Sequence, residues 1–176
     1  MQGRFTLKWA SVALMLLFGV AVTVKAQNKI SVKKELRSAS IPEMISAHEF
    51  IFKSYTAIPT KGKPRHLAGR YDINIKKNYL ISDLPYFGRV YAPSPYPIKA
   101  SLDFKSSLFT YLVKLGKNGR WEVTIKPEDN REIQQLFFTI FDDGFATLKA
   151  SFYTRDAITF HGYIEPEKGS KKLNLG

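Results

Sequence analysis

The side chains that could carry out chemistry are few and scattered along this chain. His48, His66 and His161 are far apart in sequence, and none has a two-histidine metal-ligand spacing such as H-E-x-x-H. No G-x-S-x-G motif is present to raise a nucleophilic serine on a sharp turn. Asp142 and Asp143 form the only adjacent pair of aspartates, and the glycine after them indicates a turn rather than a glycosidase pair. The residues therefore predict no catalytic group, no metal ligand and no cofactor.

Aromatic and cationic side chains gather in one segment, SDLPYFGRVY, from Ser82 to Tyr91. Pro85 fixes its own φ and favours an extended conformation at the residue before it. Gly88 is expected to let the chain turn where a side chain could not. The backbone is thus predicted to form a corner at the end of a strand, with Leu84 and Phe87 packed into the core.

The polar ends of Tyr86 and Arg89 are not explained by such a corner, because each needs water or a partner. Sites for small ligands combine aromatic burial with one or two charged groups that orient the ligand. His161 and Tyr163 share one face of the last predicted strand, which is either solvent or the lumen of a barrel. The candidate ligand-binding residues are Tyr86, Phe87, Arg89 and Tyr91, with His161 and Tyr163 as the second choice.

Two further residues near the end of the chain carry specific expectations. Arg155 lies in the turn between the last two predicted strands and is interpreted as a surface charge, the alternative being a partner for a carboxylate or an anionic ligand. Gly162 lies inside the last strand, where a glycine indicates a bend or a close approach of another backbone.

The N-terminus is expected to direct the chain out of the cytoplasm. Arg4 and Lys8 precede an apolar run from Trp9 to Val24, and Val24-Lys25-Ala26 offers small residues at a cleavage site. The run is shorter than the roughly 20 residues that span a bilayer comfortably, so an uncleaved anchor is the weaker alternative. We therefore predict a signal peptide over residues 1–26, a polar lead-in over 27–39, one β-rich domain over 40–166 and a polar tail over 167–176.

Composition limits the classes of partner. The chain has 176 residues and no cysteine, which excludes disulfides, thiolate chemistry and lipid attachment at a cysteine. Its formal net charge is +12, and about +9 remains once Arg4, Lys8 and Lys25 leave with the signal peptide. A secreted or periplasmic form would meet anions such as lipid phosphates and acidic polysaccharides, the alternative being that the scattered lysines only keep the protein soluble. Nucleic acid is a poor candidate because of the signal peptide.

The spacing of apolar residues predicts one short helix followed by strands. Ser40 before Ile41-Pro42 is a helix-start signal, and apolar residues at helical spacing predict a helix from Pro42 to Ala47, with His48 on its apolar face. Beyond it the pattern alternates, as in GRYDINIKK and SLFTYLVKL, and Asn118-Gly119 and Asp143-Gly144 mark hairpins. The prediction is an all-β, mainly antiparallel domain of about eight strands, forming either a barrel or a sandwich.

Six motifs occur in one order along the mature chain. They are FIF with its Pro-and-Gly loop (Phe50–Phe52, Pro59, Gly62), LPYFGR (Leu84–Arg89), DFKS (Asp103–Ser106), WEVTI (Trp121–Ile125), DGFATL (Asp143–Leu148) and RDAITFHGYI (Arg155–Ile164). Taken together, these motifs resemble the uncharacterised Bacteroidota family grouped as domain of unknown function 4251. The family's members are secreted or lipid-anchored, so the resemblance implies a location and a common fold but no activity. The absence of a cysteine after the signal departs from the lipidated members.

The functional expectation is a non-enzymatic β-domain of the periplasm or cell envelope that binds a small amphipathic ligand, a glycan or an envelope partner. The competing expectation is a structural or interaction module whose basic surface contacts anionic lipid or polysaccharide. A hydrolase with an unrecognised active site is the weakest alternative.

Overall fold

Alternating apolar side chains form most of this chain into antiparallel strands. A computed structural model describes residues 40–91 and 101–167, all within one compact unit, Ser40–Gly176. The predicted signal peptide and lead-in and nearly all of the tail lie outside the described residues, as do residues 92–100. The elements are α1 (40–47), β1 (Phe50–Pro59), β2 (Arg65–His66), β3 (Asp72–Lys76), β4 (Tyr79–Pro85), β5 (Ser101–Ser106), β6 (Phe109–Leu115), β7 (Trp121–Pro127), β8 (Ile133–Ile140), β9 (Phe145–Phe152) and β10 (Ile158–Glu165).

The strands form a single sheet that curls into a nearly closed barrel. The sheet order is β5-β4-β3-β1-β10-β9-β8-β7-β6, with β2 paired to β1, and the pairings are antiparallel. The pairing of β1 with β10 joins the two ends of the described chain, from Ile51 opposite Glu165 to Pro59 opposite Ile158. An open seam remains between β5 and β6, which follow each other in sequence but are not paired. The predicted all-β antiparallel fold is confirmed.

The barrel interior is filled by the protein's own side chains. Phe50, Phe52, Phe138 and Phe160 are fully buried. Phe138 makes edge-to-face contacts with Phe50 and Phe52, with ring centroids 6.0 and 5.5 Å apart. Such contacts stabilise a pair beyond the burial of its surface alone. The inward-facing residues therefore form a hydrophobic core.

Gly162 allows β10 to lie close against β1. A Cβ atom at this position would overlap the backbone carbonyl oxygen of Lys53 and approach the ring of Phe52 within 2.7 Å. The predicted close backbone approach is confirmed, and any larger residue here would push apart the two strands that close the barrel.

The helix α1 packs onto the barrel beside β6. Ile41, Met44 and Ile45 are buried, while Tyr111 of β6 donates a hydrogen bond from its hydroxyl to the carbonyl of Ile45 at 3.1 Å. His48 follows the helix with φ of 58° and stacks on Tyr111, with 3.8 Å between ring centroids. The predicted helix, Pro42 to Ala47, thus begins two residues earlier than expected.

The hairpin turns are those that the sequence predicted. Asn118 and Gly119 have φ of 60° and 72° between β6 and β7, and Gly144 has φ of 85° between β8 and β9. Positive φ favours glycine and asparagine, so these residues position the flanking strands.

The carboxylate of Asp129, in the loop that follows β7, binds the chain at the open seam between β5 and β6. Asp129 accepts hydrogen bonds from the Ser106 hydroxyl at 2.5 Å and from the N–H groups of Ser107 and Leu108 at 2.8 and 3.2 Å. These three donors form the corner between β5 and β6. Asp129 therefore holds the corner where the chain passes from β5 to β6, two strands that do not pair with each other.

Candidate functional site

The corner at the end of β4 is built around Tyr86. Its ring is buried and meets Phe152 edge-to-face, with centroids 5.3 Å apart. Its hydroxyl lies 2.9 Å from the carbonyl of Asp156 and 3.1 Å from that of Arg89, and it donates to one of them at a time. Burial raises the pKa of Tyr86 to about 12. The phenol is therefore protonated at neutral pH and serves as a hydrogen-bond donor within the fold.

Gly88 is required for a reason other than the expected one. Its φ is not positive, whereas Gly62, Gly119 and Gly144 do have positive φ. A Cβ atom on Gly88 would instead overlap the hydroxyl end of Tyr86. The chain does bend at Gly88, where a side chain could not fit, but the glycine is needed to make room for a neighbouring side chain and not to allow a positive φ.

Arg155 is a buried residue of this corner. Its guanidinium carbon lies 4.9 Å from the Tyr86 ring centroid and 4.7 Å from that of Phe152. It also forms an ion pair with Glu132, and it is 6% exposed. The interpretation of Arg155 as a surface charge is wrong, because two aromatic faces and a carboxylate together replace its hydration.

The other first-choice residues lie around the rim of the corner. Phe87 is half-buried, with the guanidinium carbon of Arg65 4.6 Å from its ring centroid. Arg89 is exposed and lies 4.0 Å from the Asp156 carboxylate. Tyr91 is exposed, and its N–H donates to the carbonyl of Thr154 at 2.9 Å. The corner as a whole fastens the end of β4 to the turn between β9 and β10.

The second-choice residues occupy a different surface, the outside of the barrel. His161 and Tyr163 alternate with the buried residues of β10 and are half-buried on its outer face. Tyr163 lies directly opposite Phe145 of β9 and Lys53 of β1. His161 lies opposite Thr147 of β9. The structure therefore brings these two residues together with neighbours that sequence analysis did not select.

Tyr163 and His161 each belong to a row of outward-facing side chains that lie opposite one another on neighbouring strands. Phe141 donates its N–H to the carbonyl of Phe145 at 2.8 Å, which aligns the two opposite each other at the β8–β9 hairpin. The next level pairs Thr139 with Thr147. The outer aromatic face, as we name it, comprises the row Phe141, Phe145, Tyr163 and Lys53 and the row Thr139, Thr147, His161 and Thr56.

Exposure distinguishes the outer aromatic face from the core. Phe141 is 43% exposed and Phe145 52% exposed, although both are large apolar side chains. Lys53 ends the row in an ion pair with Glu165 at 2.5 Å, and its hydrogen bond to Glu165 raises the pKa of the ammonium group. The sequence analysis did not select Phe141 and Phe145 as site residues, because they flank the glycine of a hairpin and look like the ordinary apolar ends of strands. The available signal was the alternation of side chains, which places both residues, like Tyr163, at outward-facing positions.

Two clefts on the surface of the molecule lie outside the outer aromatic face. One of about 340 Å³ lies between β5 and residues 129–133 and is bordered by Arg155. Another of about 330 Å³ lies beside Tyr79, Ile81 and the β5–β6 corner. Among residues 40–91 and 101–167, no three His, Asp or Glu side chains are grouped so that they could hold a metal ion. Over the same residues, no helix is long and apolar enough to span a membrane.

Comparison with known proteins identifies the family. The structure is similar to the crystal structure of a DUF4251 family protein from Bacteroides eggerthii, with a TM-score of 0.58 and 13% sequence identity. The match covers 74% of this chain and 88% of the other, and at this identity it shows a shared fold. No curated protein matches the sequence. The family model for DUF4251, a domain of unknown function, matches residues 32–164. This chain therefore belongs to the DUF4251 family.

Proposed function

We propose that this protein is a non-enzymatic binding domain of the cell envelope that holds a glycan against its outer aromatic face. One observation carries the proposal: Phe141, Phe145 and Tyr163 lie in a row on the outside of a barrel whose interior is filled by its own side chains. Exposed apolar patches on monomeric proteins commonly mark binding surfaces.

The chemistry of the two rows suits a pyranose ring. One face of such a ring presents C–H groups, which pack against aromatic side chains, while its hydroxyl groups project around the edge. The row of Thr139, Thr147 and His161 would supply hydroxyl and imidazole groups next to the aromatic row. Apolar surface for affinity beside a few polar groups for orientation is the usual composition of a small-molecule site.

The packed interior favours this surface over a lumen. An amphipathic ligand in the barrel mouth would have to displace core residues such as Phe138 or Phe160, which are fully buried. Removing such a side chain from a core costs about 3–5 kcal/mol. The expected secretion of the chain supports an envelope ligand, and the basic composition supports one that carries acidic groups.

Isothermal titration with three hexasaccharides tests the proposal. Chitohexaose, cellohexaose and hexagalacturonate differ in charge and substituents while sharing pyranose rings. We expect at least one to bind, and the double variant Phe145→Ala, Tyr163→Ala to weaken that binding by about tenfold or more through lost stacking.

Tyr153→Ala is the matched control. Tyr153 is 66% exposed, but it lies just beyond the far end of β9, away from the outer aromatic face. The control should bind like the unchanged protein. The proposal fails if none of the three sugars binds, or if Tyr153→Ala weakens binding as much as the double variant.

A second candidate function rests on the net positive charge, which is +12 for the whole chain and about +9 without the expected signal peptide. The protein would then be an interaction module whose lysines contact anionic lipid or polysaccharide. Retention on anionic liposomes should fall sharply as salt rises toward about 0.5 M, since the screening length shortens to a few ångströms. Retention that is insensitive to salt would exclude this electrostatic mechanism.

A further inference from the structure

The strand β6 ends the sheet with one edge unpaired among the described strands. It pairs with β7 along its whole length, from Phe109 opposite Pro127 to Leu115 opposite Trp121, and with no other strand in residues 40–91 and 101–167. An unpaired edge presents a row of backbone donors and acceptors to any extended chain that approaches it.

Two backbone hydrogen bonds show which groups point to that edge. Gly116 donates to the carbonyl of Arg120, and Glu128 donates to that of Leu108, both at 2.8 Å. Hydrogen-bonded and non-hydrogen-bonded pairs alternate along an antiparallel ladder. The even-numbered residues of β6 therefore bond to β7, and the N–H and C=O groups of Phe109, Tyr111, Val113 and Leu115 point to the free edge.

The side chains of β6 are unusually apolar for an edge. Leu112, Val113 and Leu115 are 51%, 37% and 66% exposed, and Lys114 is the only charged residue of the strand. At the other end of the sheet, β5 carries the charges of Asp103 and Lys105 and lies along the cleft formed with residues 129–133. Charges and a covering segment are common protections of an edge. β6 has one lysine, and its contact with α1 and His48 is made by the inward-facing side chain of Tyr111.

We propose that β6 pairs antiparallel with β6 of a second copy of this chain, about a two-fold axis through Leu112. This register brings together the free backbone groups on both strands, since Phe109 meets the partner's Leu115 and Tyr111 meets the partner's Val113. It covers Val113 and Leu115, and it sets Leu112 against the partner's Leu112 on the outer side.

Charge complementarity supports the same register. Lys114 falls opposite the partner's Thr110. In each copy the Thr110 hydroxyl donates to the Glu128 carboxylate at 2.7 Å, so this carboxylate lies beside the approaching ammonium group. No like charges face each other, and the two-fold pairing uses the free edge of both β6 strands, so the assembly closes as a dimer.

Sedimentation velocity across a concentration series tests the pairing. We expect a monomer–dimer equilibrium over roughly 1 to 300 µM, since the interface is one strand pair and smaller than that of an obligate dimer. Leu112→Lys would place two ammonium groups against each other at the axis and should weaken the dimer by about tenfold or more.

The matched control is Leu108→Lys. Leu108 is 57% exposed but precedes β6, so a lysine at this position would not face a second lysine across the two-fold axis. The Leu108→Lys variant should therefore dimerise as strongly as the unchanged protein. Circular dichroism checks that both variants are folded. A chain that stays monomeric throughout the series, as it would if its own residues 27–39 covered β6, overturns the proposal.

A single cysteine gives a second readout in this cysteine-free chain. Opposite residues in a non-hydrogen-bonded pair have Cα atoms about 4.5 Å apart, which is within disulfide range. Leu112→Cys should therefore form a disulfide-linked dimer much faster than Leu108→Cys under mild oxidation. Equal rates for the two variants would contradict the register.

Discussion

Tyr86 joins two parts of the chain that are 70 residues apart in sequence, since its hydroxyl reaches the carbonyl of Asp156. Its ring contacts Phe152 and the guanidinium of Arg155, and Gly88 leaves the space that its hydroxyl end fills. Both the apolar and the polar parts of the side chain are therefore used within the fold. Arg89 remains exposed beside it, so a ligand at this corner would meet Arg89 and Tyr91 before Tyr86.

Tyr86→Phe should reduce the free energy of unfolding by about 1 kcal/mol, the usual net contribution of a single hydrogen bond. The ring contact with Phe152 would remain, so the fold and its core should be retained. Urea unfolding followed by tryptophan fluorescence measures the change. Tyr153→Phe, at an exposed position, should stay within about 0.5 kcal/mol of the unchanged protein. A Tyr86→Phe variant of unchanged stability would show that the hydroxyl does not fasten this corner.

His48 should make stability depend on pH. Desolvation of its ring, and then the charge of Lys77, lower the pKa of His48 below its ordinary value. The unfolded chain then binds the proton more readily than the folded one, so the free energy of unfolding should fall as the pH drops below about 6.5. Urea titrations between about pH 5 and 7 should show a flatter dependence for His48→Gln than for His66→Gln. Equal slopes for the two variants would exclude His48 as the source.

The sequence was sufficient to predict the apolar packing at the corner around Tyr86, but it was not sufficient to predict the polar contacts there. Pro85 and the apolar pattern correctly indicated that Leu84 is buried and that Phe87 packs against the core. The partners of Arg155 could not be predicted, because Glu132 is 23 residues away and the two meet only when β8 and β9 pair. Long-range pairing thus decides which polar residues are structural.

At the scale of the elements, hairpins were predictable and edges were not. Asn118-Gly119 and Asp143-Gly144 require local backbone conformations that the residues themselves favour. The strands β2 and β5 were missed, since β2 has two residues and β5, SLDFKS, alternates too weakly to distinguish it from a loop. The free edge of β6 follows from the absence of pairing with β5, which depends on the curvature of the whole sheet.

Asp129 should contribute stability that is lost in acid. Hydrogen bonds from the Ser106 hydroxyl and from the N–H groups of Ser107 and Leu108 hold the pKa of Asp129 below its ordinary value. Its contribution is fully present above the unfolded-state pKa of about 3.9 and disappears as the pH falls through the lower folded-state value.

We expect Asp129→Ala to cost about 1 kcal/mol near neutral pH, since solvent screens an exposed carboxylate. The cost should vanish at low pH, where the carboxylate of the unchanged protein is protonated. Asp142→Ala, at an exposed turn position, is the control and should cost little at any pH. An equal cost for Asp129→Ala at both ends of the pH range would contradict the role of its charge.

At the scale of the whole molecule, the long-range pairing of β1 with β10 decides between barrel and sandwich. Alternation in the sequence predicted the strands and their faces but did not specify that Ile51 meets Glu165. The same pairing aligns Tyr163 with Lys53 and completes the outer aromatic face. This closure places the phenylalanine-rich core on one side of the sheet and the exposed aromatic row on the other.

The most direct test of glycan binding on the outer aromatic face is chemical-shift mapping of the ¹⁵N-labelled protein with the hexasaccharide that binds. We expect the largest amide shifts at Phe145, Thr147, His161 and Tyr163, with little change from Tyr86 to Tyr91 or around the cleft at residues 129–133. Shifts concentrated at that corner or cleft, with the outer aromatic face unchanged, would contradict the proposed binding surface.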